Sequence, residues 1–392
     1  KFSKMSSHKK RRHASSSSSS IENKDSNKKR AKKYTFTDFE RVHEKYEKGK
    51  ELGEGTFGKV YDGVVKATRE RVAIKKIKVQ LGYRDGLHPT ALREIKYLRE
   101  ISRKPHENII KLYDAYQRGS SLYLVFEYCL NDLERIIKDE KTQLPPCDIK
   151  SYMRMLLSGV AFCHENWILH RDLKPNNLMI GNDYRLKLID FGLAKSYASP
   201  FRRYKSEVVT LWYRSPELLY GATEYGPSLD MWSVGCIFAE LLQRAPLFPG
   251  QREIQQLGMI FRLLGTPTEK EWPGMTSLPS YIEYTMLNGA GLENNFATAP
   301  SVTEGAIDLL TKFLTYDPVK RISAKDALKH AYFTSNKPEP VQVMDLVAVK
   351  QLKSRNDGDS GSSDGSSVAN TATTTNDATN TKSIAPIAKQ LF

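Results

Sequence analysis

A chain of 392 residues with 40% hydrophobic residues is long enough for one large two-lobed domain or two to three average domains. Its four cysteines form no CxxC pair and have no histidine at zinc-site spacing, which argues against a disulfide framework or zinc finger. No apolar run reaches the roughly 18 residues of a membrane span, and the N-terminus lacks the apolar core of a signal peptide. The composition predicts a soluble intracellular protein, nuclear, cytoplasmic or both.

The net charge of +15 is concentrated at the N-terminus, where residues 1–33 hold twelve lysines and arginines and only two acids. This segment also contains six consecutive serines and almost no apolar residue, so residues 1–45 are expected to be a disordered basic arm. The basic clusters at 9–12 and 28–30 fit a solvated arm, a nuclear import signal or a nucleic-acid contact. The charge of the arm alone does not decide among these three.

Five short apolar runs from Tyr46 onward predict a small antiparallel sheet. They are Tyr46–Leu52, Lys59–Lys66, Arg71–Val79, Ile109–Gln117 and Leu122–Tyr128. Helical patterns follow at Asn131–Lys138 and Cys147–Asn166 and continue to about Phe333. Residues 334–392 are rich in Ser, Thr, Asn, Asp and Gly, which predicts a low-complexity and mostly disordered tail.

A glycine-rich loop, Gly53-x-Gly55-x-x-Gly58-x-Val60, lies between the first two predicted strands. Glycines let backbone N–H groups approach phosphates closely, although a tight hairpin or a dinucleotide-binding turn can have the same pattern. A dinucleotide fold needs a helix after the loop, and here another strand follows. The context therefore favours a lid over a nucleotide.

Lys75 lies inside the apolar strand Val72-Ala73-Ile74-Lys75 and needs an anionic partner, because a buried unpaired ammonium group is costly. The segment that starts at Pro89 has Ala91, Ile95 and Leu98 at helical spacing. Glu94 in this segment is the candidate partner of Lys75. Taken in isolation, Glu94 would more simply be a surface charge paired with a nearby lysine.

An acid and an amide five positions apart, Asp172 and Asn177, lie in the loop HRDLKPNN at 170–177. An H-R-D tripeptide recurs by chance, and an aspartate before Leu-Lys-Pro can simply cap a turn. The extended string is far more specific. Asp190 follows a short predicted strand as the first residue of an Asp-Phe-Gly triplet, where its carboxylate can hold a magnesium ion.

Taken together and in this order, the motifs resemble a eukaryotic Ser/Thr protein kinase over residues 46–333. The resemblance implies an α+β, two-lobed fold, with a small antiparallel-sheet N-lobe (about 46–128) that carries one key helix and a larger helical C-lobe (about 129–333). The segment Pro89–Glu94 and the strings VVTLWYR, LFPG and GTP resemble the cyclin-dependent kinases. The segment around WILHRDLKPNNL and Ser199-Pro200 look most like the CDK-activating, transcription-associated kinase.

The resemblance implies ATP and Mg²⁺ as cofactors and assigns roles to the motif residues. Asp172 would be the catalytic base, Lys174 would steady the γ-phosphate, and Lys75, fixed by Glu94, would grip the α- and β-phosphates. Asn177 and Asp190 would hold magnesium. The remaining ATP-binding positions would be Leu52, Gly53, Gly55, Gly58, Val60, Ala73, the gatekeeper Phe126, Glu127 and Cys129 with hinge backbone, and Asp132 at the lip of the pocket.

Regulation is where the chain departs from the family pattern. Phe57 replaces an inhibitory tyrosine, although Thr56 can still be modified, and Lys205 stands where the family has its activating threonine. Three basic residues would surround that phosphate, namely Arg93, Arg171 and Lys195. The expectation is that phosphorylation of Ser206 or Ser199 orders the segment, or that a cyclin and an assembly factor do so alone.

The resemblance also implies partners and substrates. A cyclin would bind the Pro89–Glu94 helix, and Val209 and Arg214 match positions that select Ser or Thr followed by Pro. Substrates would be other cyclin-dependent kinases, the RNA polymerase tail, or both. The alternatives are another cyclin-dependent kinase branch, a pseudokinase scaffold, which the intact motif residues disfavour, and a nucleic-acid-binding protein. A MAP kinase is disfavoured because Thr-x-Tyr is absent between Asp190 and Pro216.

Overall fold

The computed structural model describes residues 42–55, 58–77, 89–119, 121–197 and 209–335, together with 339, 341 and 346. The arm up to residue 41, Thr56, Ser199, Lys205 and Ser206 lie outside the described residues. Among the described helices none is long and apolar enough to cross a bilayer.

The N-lobe is a five-stranded sheet in which every neighbouring pair is antiparallel, with the order β1-β2-β3-β5-β4. The predicted strands are all present, and their ends shift by a few residues. The bounds are β1 Tyr46–Gly55, β2 Gly58–Val65, β3 Arg71–Ile77, β4 Leu112–Arg118 and β5 Ser121–Glu127.

Alternation along β3 explains why this sheet has two apolar faces. Val72 and Ile74 pack with Tyr116 and Val125 in a small outer cluster. Ala73 and Ile77 point to the opposite face and join the main core, because successive side chains of a strand alternate. Lys75 shares that inner face, which points toward the other lobe.

The long helix α1 of the N-lobe spans Pro89–Ile101. Proline suits the first turn because its missing N–H would have no helical partner there. Ala91, Leu98 and Ile101 are buried, while Leu92 is 48% exposed. The helix therefore presents Glu94 inward and an apolar side chain outward.

The C-lobe is mainly helical, as predicted. Its helices are α2 Leu133–Lys138, α3 Pro146–Glu165, α4 Pro216–Leu219, α5 Ser228–Gln243, α6 Glu253–Leu264, α7 Leu292–Phe296, α8 Ala306–Phe313, α9 Ala324–Ala327 and α10 Ala331–Thr334. Its short strands are β6 Cys129–Asp132, β7 Ile168–Leu169, β8 Leu178–Gly181, β9 Leu186–Leu188 and β10 Lys195–Ser196. They pair in the order β6-β8-β9 and as β7 with β10.

The helix predicted from Asn131 begins two residues later, at Leu133. Asp132 is extended, and its side chain accepts a hydrogen bond from the backbone N–H of Arg135, so it is the N-cap and not part of the helix. Asn131 and Asp132 instead belong to β6 and pair with β8. The prediction was wrong at this boundary because periodicity does not separate a capping residue from the first helical turn.

Helix α5 is buried around almost its whole circumference, and Trp232, Val234 and Phe238 are fully shielded from solvent. A helix that is apolar all round belongs in the centre of a lobe. A buried ion pair between Glu217 and Arg321 is present beside it, with Arg321 Nη1 2.7 Å from Glu217 Oε1. A second guanidinium nitrogen reaches the other carboxylate oxygen at 3.0 Å, which makes the pair bidentate.

The packed part of the chain extends past the boundary predicted at residue 333. Leu346 is fully buried in the main core, and Val341 packs against it. The Ser151 hydroxyl of α3 donates to the Val341 carbonyl oxygen at 3.3 Å, and the buried Lys150 ammonium donates to the Ser335 carbonyl oxygen at 3.1 Å. The apolar string VQVMDLVAV at 341–349 was the available sequence signal.

We expect Leu346→Ala to destabilise the fold by about 2–4 kcal/mol, because a fully buried leucine would leave a cavity. Thermal or urea unfolding measures the change, with Val319→Ala as the control that should leave stability near wild type, because Val319 is 91% exposed. Wild-type stability in Leu346→Ala would contradict the packing of this segment.

Candidate active site

An ion pair joins the N-lobe sheet to α1. Lys75 Nζ lies 2.9 Å and 3.1 Å from the two carboxylate oxygens of Glu94, and both residues are buried. The predicted pairing is therefore present. Burial raises the pKa of the Glu94 carboxyl, and the attraction of Lys75 opposes that shift. The pair lines a small cavity between the lobes with Val60, Phe126 and Asp190.

One buried carboxylate, Asp230 of α5, anchors the loop at 170–177 that carries Asp172. Its two oxygens accept hydrogen bonds from the backbone N–H groups of His170 at 3.0 Å and Arg171 at 2.9 Å. The ring Nε2 of His164 lies 2.9 Å from the same carboxylate. Burial alone would raise the pKa of Asp230, but these partners lower it below its ordinary value. Asp230 thus stays charged and fixes the loop, including the positive φ of 66° at Arg171.

Asp172 is buried at the centre of a small polar network. Lys174 Nζ lies 2.9 Å from Asp172 Oδ2, and the hydroxyl of Thr210 donates to Asp172 Oδ1 at 2.9 Å. Lys174 Nζ also donates to that hydroxyl oxygen at 3.0 Å. Burial raises the pKa of Asp172, but Lys174 and Thr210 outweigh burial and hold the pKa below its usual range. The carboxylate is therefore ionised at neutral pH and available as a proton acceptor.

Asn177 is oriented so that its oxygen has no protein partner among the described residues. Its amide nitrogen donates to the backbone oxygen of Asp172 at 2.7 Å and to the carboxylate at 2.9 Å. The Asn177 Oδ1 atom is buried and unpartnered. An orphaned buried amide oxygen is a ligand that Mg²⁺ accepts.

Asp190 supplies the second candidate oxygen ligand. It adopts a left-handed conformation, φ 58° and ψ 76°, and its Oδ1 accepts a hydrogen bond from the Gly192 N–H at 3.0 Å. The described residues contain no cluster of three or more His, Cys, Asp or Glu side chains that could hold a metal by themselves. Two protein oxygens plus phosphate oxygens are the usual environment of Mg²⁺, so Asn177 and Asp190 fit the ion. When bound, Mg²⁺ neutralises charge on the transferring phosphoryl group.

The walls of the nucleotide pocket come from the sheet and the segment between the lobes. Val60, Ala73 and Phe126 are buried on the inner face, and Leu52 packs against the same core. A Cβ at Gly58 would lie 2.0 Å from the Lys76 carbonyl oxygen, so this position requires glycine. The other predicted glycines, Gly53 and Gly55, lie on β1.

The segment that connects the lobes, Phe126–Asp132, is predicted to meet the adenine. The N–H of Glu127 donates to the Lys111 carbonyl oxygen at 3.1 Å. Cys129 is buried and pairs with Gly181 of β8. The Asp132 side chain is directed to the cap of α2, with one oxygen bonded to the Arg135 N–H.

Two of the three residues predicted to bind an activating phosphate come together. Arg93 donates to the Gly192 carbonyl oxygen at 2.8 Å, and Arg171 donates to the Leu193 carbonyl oxygen at 2.7 Å and to the Tyr225 hydroxyl at 2.9 Å. Burial, followed by repulsion from Arg171, lowers the pKa of Arg93. The third residue, Lys195, lies in β10, which pairs with β7. Two adjacent guanidinium groups favour an anion at this place.

Val209 and Arg214 contact each other close to Asp172. Val209 has a φ of 70°, a conformation that is costly for a β-branched residue. The Arg214 guanidinium donates to its carbonyl oxygen at 3.1 Å and 3.3 Å and so stabilises the strained conformation. Thr210, the next residue, carries the hydroxyl that binds Asp172.

The comparisons with known proteins agree with this geometry. Residues 46–333 match the protein kinase domain model. The chain is 52% identical over 299 residues to cyclin-dependent kinase 7 of Xenopus laevis, covering 75% of this chain and 82% of that protein. It is 50% identical over 287 residues to cyclin-dependent kinase 7 of Dictyostelium discoideum, covering 72% and 78%. The chain belongs to the cyclin-dependent protein kinases.

A solved structure supports the same assignment. A chain of the CAK complex of Chaetomium thermophilum, solved bound to ATP-γ-S, matches with a TM-score of 0.75 and 45% identity. The match covers 80% of this chain and 98% of that chain. The predicted fold and the predicted Ser/Thr kinase class are confirmed, and the kinase uses ATP with Mg²⁺.

Sequence reasoning missed some residues that shape the site of this kinase. Thr210 was noted only as part of VVTLWYR, yet its hydroxyl is the partner of Asp172. Glu240 was not singled out, although it is 2% exposed and accepts a hydrogen bond from the Tyr213 hydroxyl at 2.8 Å. The signal for Glu240 was a carboxylate inside an otherwise apolar helix. Burial raises the pKa of Glu240 to about 7.

We expect Glu240→Gln to stabilise the kinase, and more at pH 8 than at pH 5. The folded-state pKa of about 7 lies above the ordinary value of 4.5, so the folded protein binds the proton more tightly and loses stability as the pH rises between these values. Glutamine keeps an oxygen for Tyr213 but removes the charge. Melting temperatures of wild type and variant at the two pH values measure the effect. Glu283→Gln, at an exposed position, is the control. An equal change in melting temperature at pH 5 and pH 8 for Glu240→Gln would contradict the raised pKa.

Proposed function

We propose that the kinase, with a cyclin bound against α1, phosphorylates Ser or Thr followed by Pro on other cyclin-dependent kinases, on the RNA polymerase tail, or on both. The similarity to cyclin-dependent kinase 7 and to the CAK complex supports this substrate class. Asp172 takes the hydroxyl proton of the substrate, while Lys75 and Lys174 hold the phosphates of ATP. Positioning and charge neutralisation then account for most of the rate enhancement.

The observation that carries the preference for proline is the conformation of Val209. Its carbonyl oxygen is turned to the Arg214 guanidinium and is not offered to a substrate. A substrate residue with a backbone N–H at the neighbouring position would leave that N–H without a partner, which costs about 1–3 kcal/mol. Proline has no N–H to satisfy, so a proline after the phosphorylated residue avoids the cost.

Peptides that differ only in Ser-Pro and Ser-Ala test this selectivity. We expect the cyclin-bound kinase to favour Ser-Pro by about 10–100-fold in kcat/KM, as the cost of one unpaired N–H implies. Arg214→Ala should narrow that ratio, because the Val209 carbonyl becomes free. Asp172→Asn should abolish phosphorylation of both peptides, which separates the enzyme from a pseudokinase scaffold. Equal kcat/KM for the two peptides would refute selection of proline.

The cyclin-binding proposal rests on the outward face of α1. Leu92 is 48% exposed there, next to the buried Ala91 and two residues before Glu94. A partner that covers Leu92 would hold α1 in the position at which Glu94 reaches Lys75. The contact would therefore control the geometry at the phosphates, and an assembly factor would add to the same complex.

Activation is proposed to work through the adjacent guanidinium groups of Arg93 and Arg171, which lie against the backbone at Gly192 and Leu193. Lys205 occupies the family's threonine position and brings a positive charge. Phosphoserine at 206 or 199 would supply the anion, or a cyclin and an assembly factor would order the segment without a phosphate.

Ser206→Ala and Ser199→Ala, assayed as the cyclin complex, test the phosphoserine version. We expect one of the two variants to lose at least about tenfold in kcat/KM and to regain part of it as the glutamate variant, because two charge-assisted contacts to the arginines are lost. Mass mapping of the active complex should find phosphate on the same serine. If both alanine variants keep full activity, ordering by partners alone replaces the phosphoserine version.

A further inference from the structure

A lysine with no solvent contact lies behind the segment that connects the lobes. The Lys187 side chain, on β9, has 0% exposure. Its Nζ lies 2.7 Å from Asp183 Oδ2, in the turn that precedes β9, and 3.6 Å from Glu127 Oε2. A buried ammonium group without partners would be very costly, so these two carboxylates are what allow a charge at this depth.

Glu127 is held by the same network. Its carboxylate is 10% exposed, and its Oε1 accepts a hydrogen bond from the Lys111 N–H at 2.7 Å. Its own N–H donates to the Lys111 carbonyl oxygen at 3.1 Å. Burial raises the pKa of Glu127, and Lys187 provides the largest opposing effect. Lys187 therefore favours the charged form of a residue on the connecting segment.

Packing leaves Lys187 little freedom to move. β6 pairs with β8 through Cys129 and Gly181, and a Cβ at Gly181 would lie 2.7 Å from the Lys187 Cε atom. The backbone of β8 thus passes directly over the lysine stem. A positive charge fixed to the C-lobe is consequently placed at a defined point behind residues 127–129.

We propose that Lys187 is a positioning residue for ATP binding, which holds Glu127 and so sets the connecting segment at the place where its backbone meets the adenine. The ordinary alternative is that Lys187 only contributes to the stability of the C-lobe. Its partner Asp183 is half exposed and belongs to the same hairpin, and that pair alone would serve stability. The contact with Glu127 crosses to the segment between the lobes, and this contact gives Lys187 a place in nucleotide binding.

Steady-state kinetics of the cyclin-bound, full-length kinase separate the two roles. We expect Lys187→Met to raise the KM for ATP by about tenfold, with kcat and the KM for the peptide within about twofold of wild type, since the phosphate-binding and catalytic groups are untouched. Arg185→Met is the matched control. Arg185 lies on the same hairpin and forms an exposed ion pair with Glu107 at 3.0 Å, so its loss should leave the KM for ATP unchanged.

Two further variants keep the test decisive if Lys187→Met is poorly folded. Glu127→Gln retains the pair of Lys187 with Asp183, so it should fold and still raise the KM for ATP severalfold. In Lys187→Met the Glu127 carboxylate loses its cationic partner, and adding Glu127→Gln removes that unpaired charge. The double variant should therefore have a KM for ATP no higher than that of Lys187→Met. If Lys187→Met and Glu127→Gln lower the melting temperature but leave the KM for ATP at the wild-type value, Lys187 is structural and the proposal is wrong.

Discussion

The fully buried carboxylate of Asp230 is the constraint on which the active site depends. It lies on α5, the apolar helix at the centre of the C-lobe, and binds the backbone of the catalytic loop through two N–H groups. A carboxylate at this depth is tolerated because two backbone N–H groups and the ring of His164 lie within hydrogen-bond distance of it. The packed core of the C-lobe thus fixes the backbone position of the loop that carries Asp172.

Buried charged groups also join separate elements elsewhere in the described chain. Lys75 and Glu94 join the sheet to α1, and Glu217 and Arg321 fix the segment after the substrate site to the lower C-lobe. Buried ion pairs contribute little net stability, but removal of one partner is strongly destabilising. Their main effect is therefore to select one arrangement of the elements, and their contribution to the free energy of unfolding is small. Lys187 and Glu127 extend this pattern to the segment between the lobes.

Two strained backbone conformations in the site are each stabilised by hydrogen bonds. Arg171 and Val209 both have positive φ, and each is held by a named partner, Asp230 for the first and Arg214 for the second. The Arg171 side chain donates to the Leu193 carbonyl oxygen and lies near Arg93, which donates to the Gly192 carbonyl oxygen. The Val209 carbonyl oxygen accepts two hydrogen bonds from the Arg214 guanidinium. Strained backbone clusters at functional sites, and both residues belong to parts of the site for which regulation and substrate selectivity are proposed.

The sequence by itself determined the five N-lobe strands, the class of the enzyme and the identity of the candidate catalytic residues, because these rest on local patterns. Short apolar runs predicted the five strands, and the strings around Lys75, Asp172 and Asp190 are specific enough to name the family. Only the tertiary structure decided which groups meet over long separations in the chain. Thr210 reaches Asp172, Leu346 enters the core, and Lys187 lies behind Glu127. Hydrophobic periodicity along the sequence does not predict such contacts. They arise from the packing of elements that lie 38 to 60 residues or more apart in the chain.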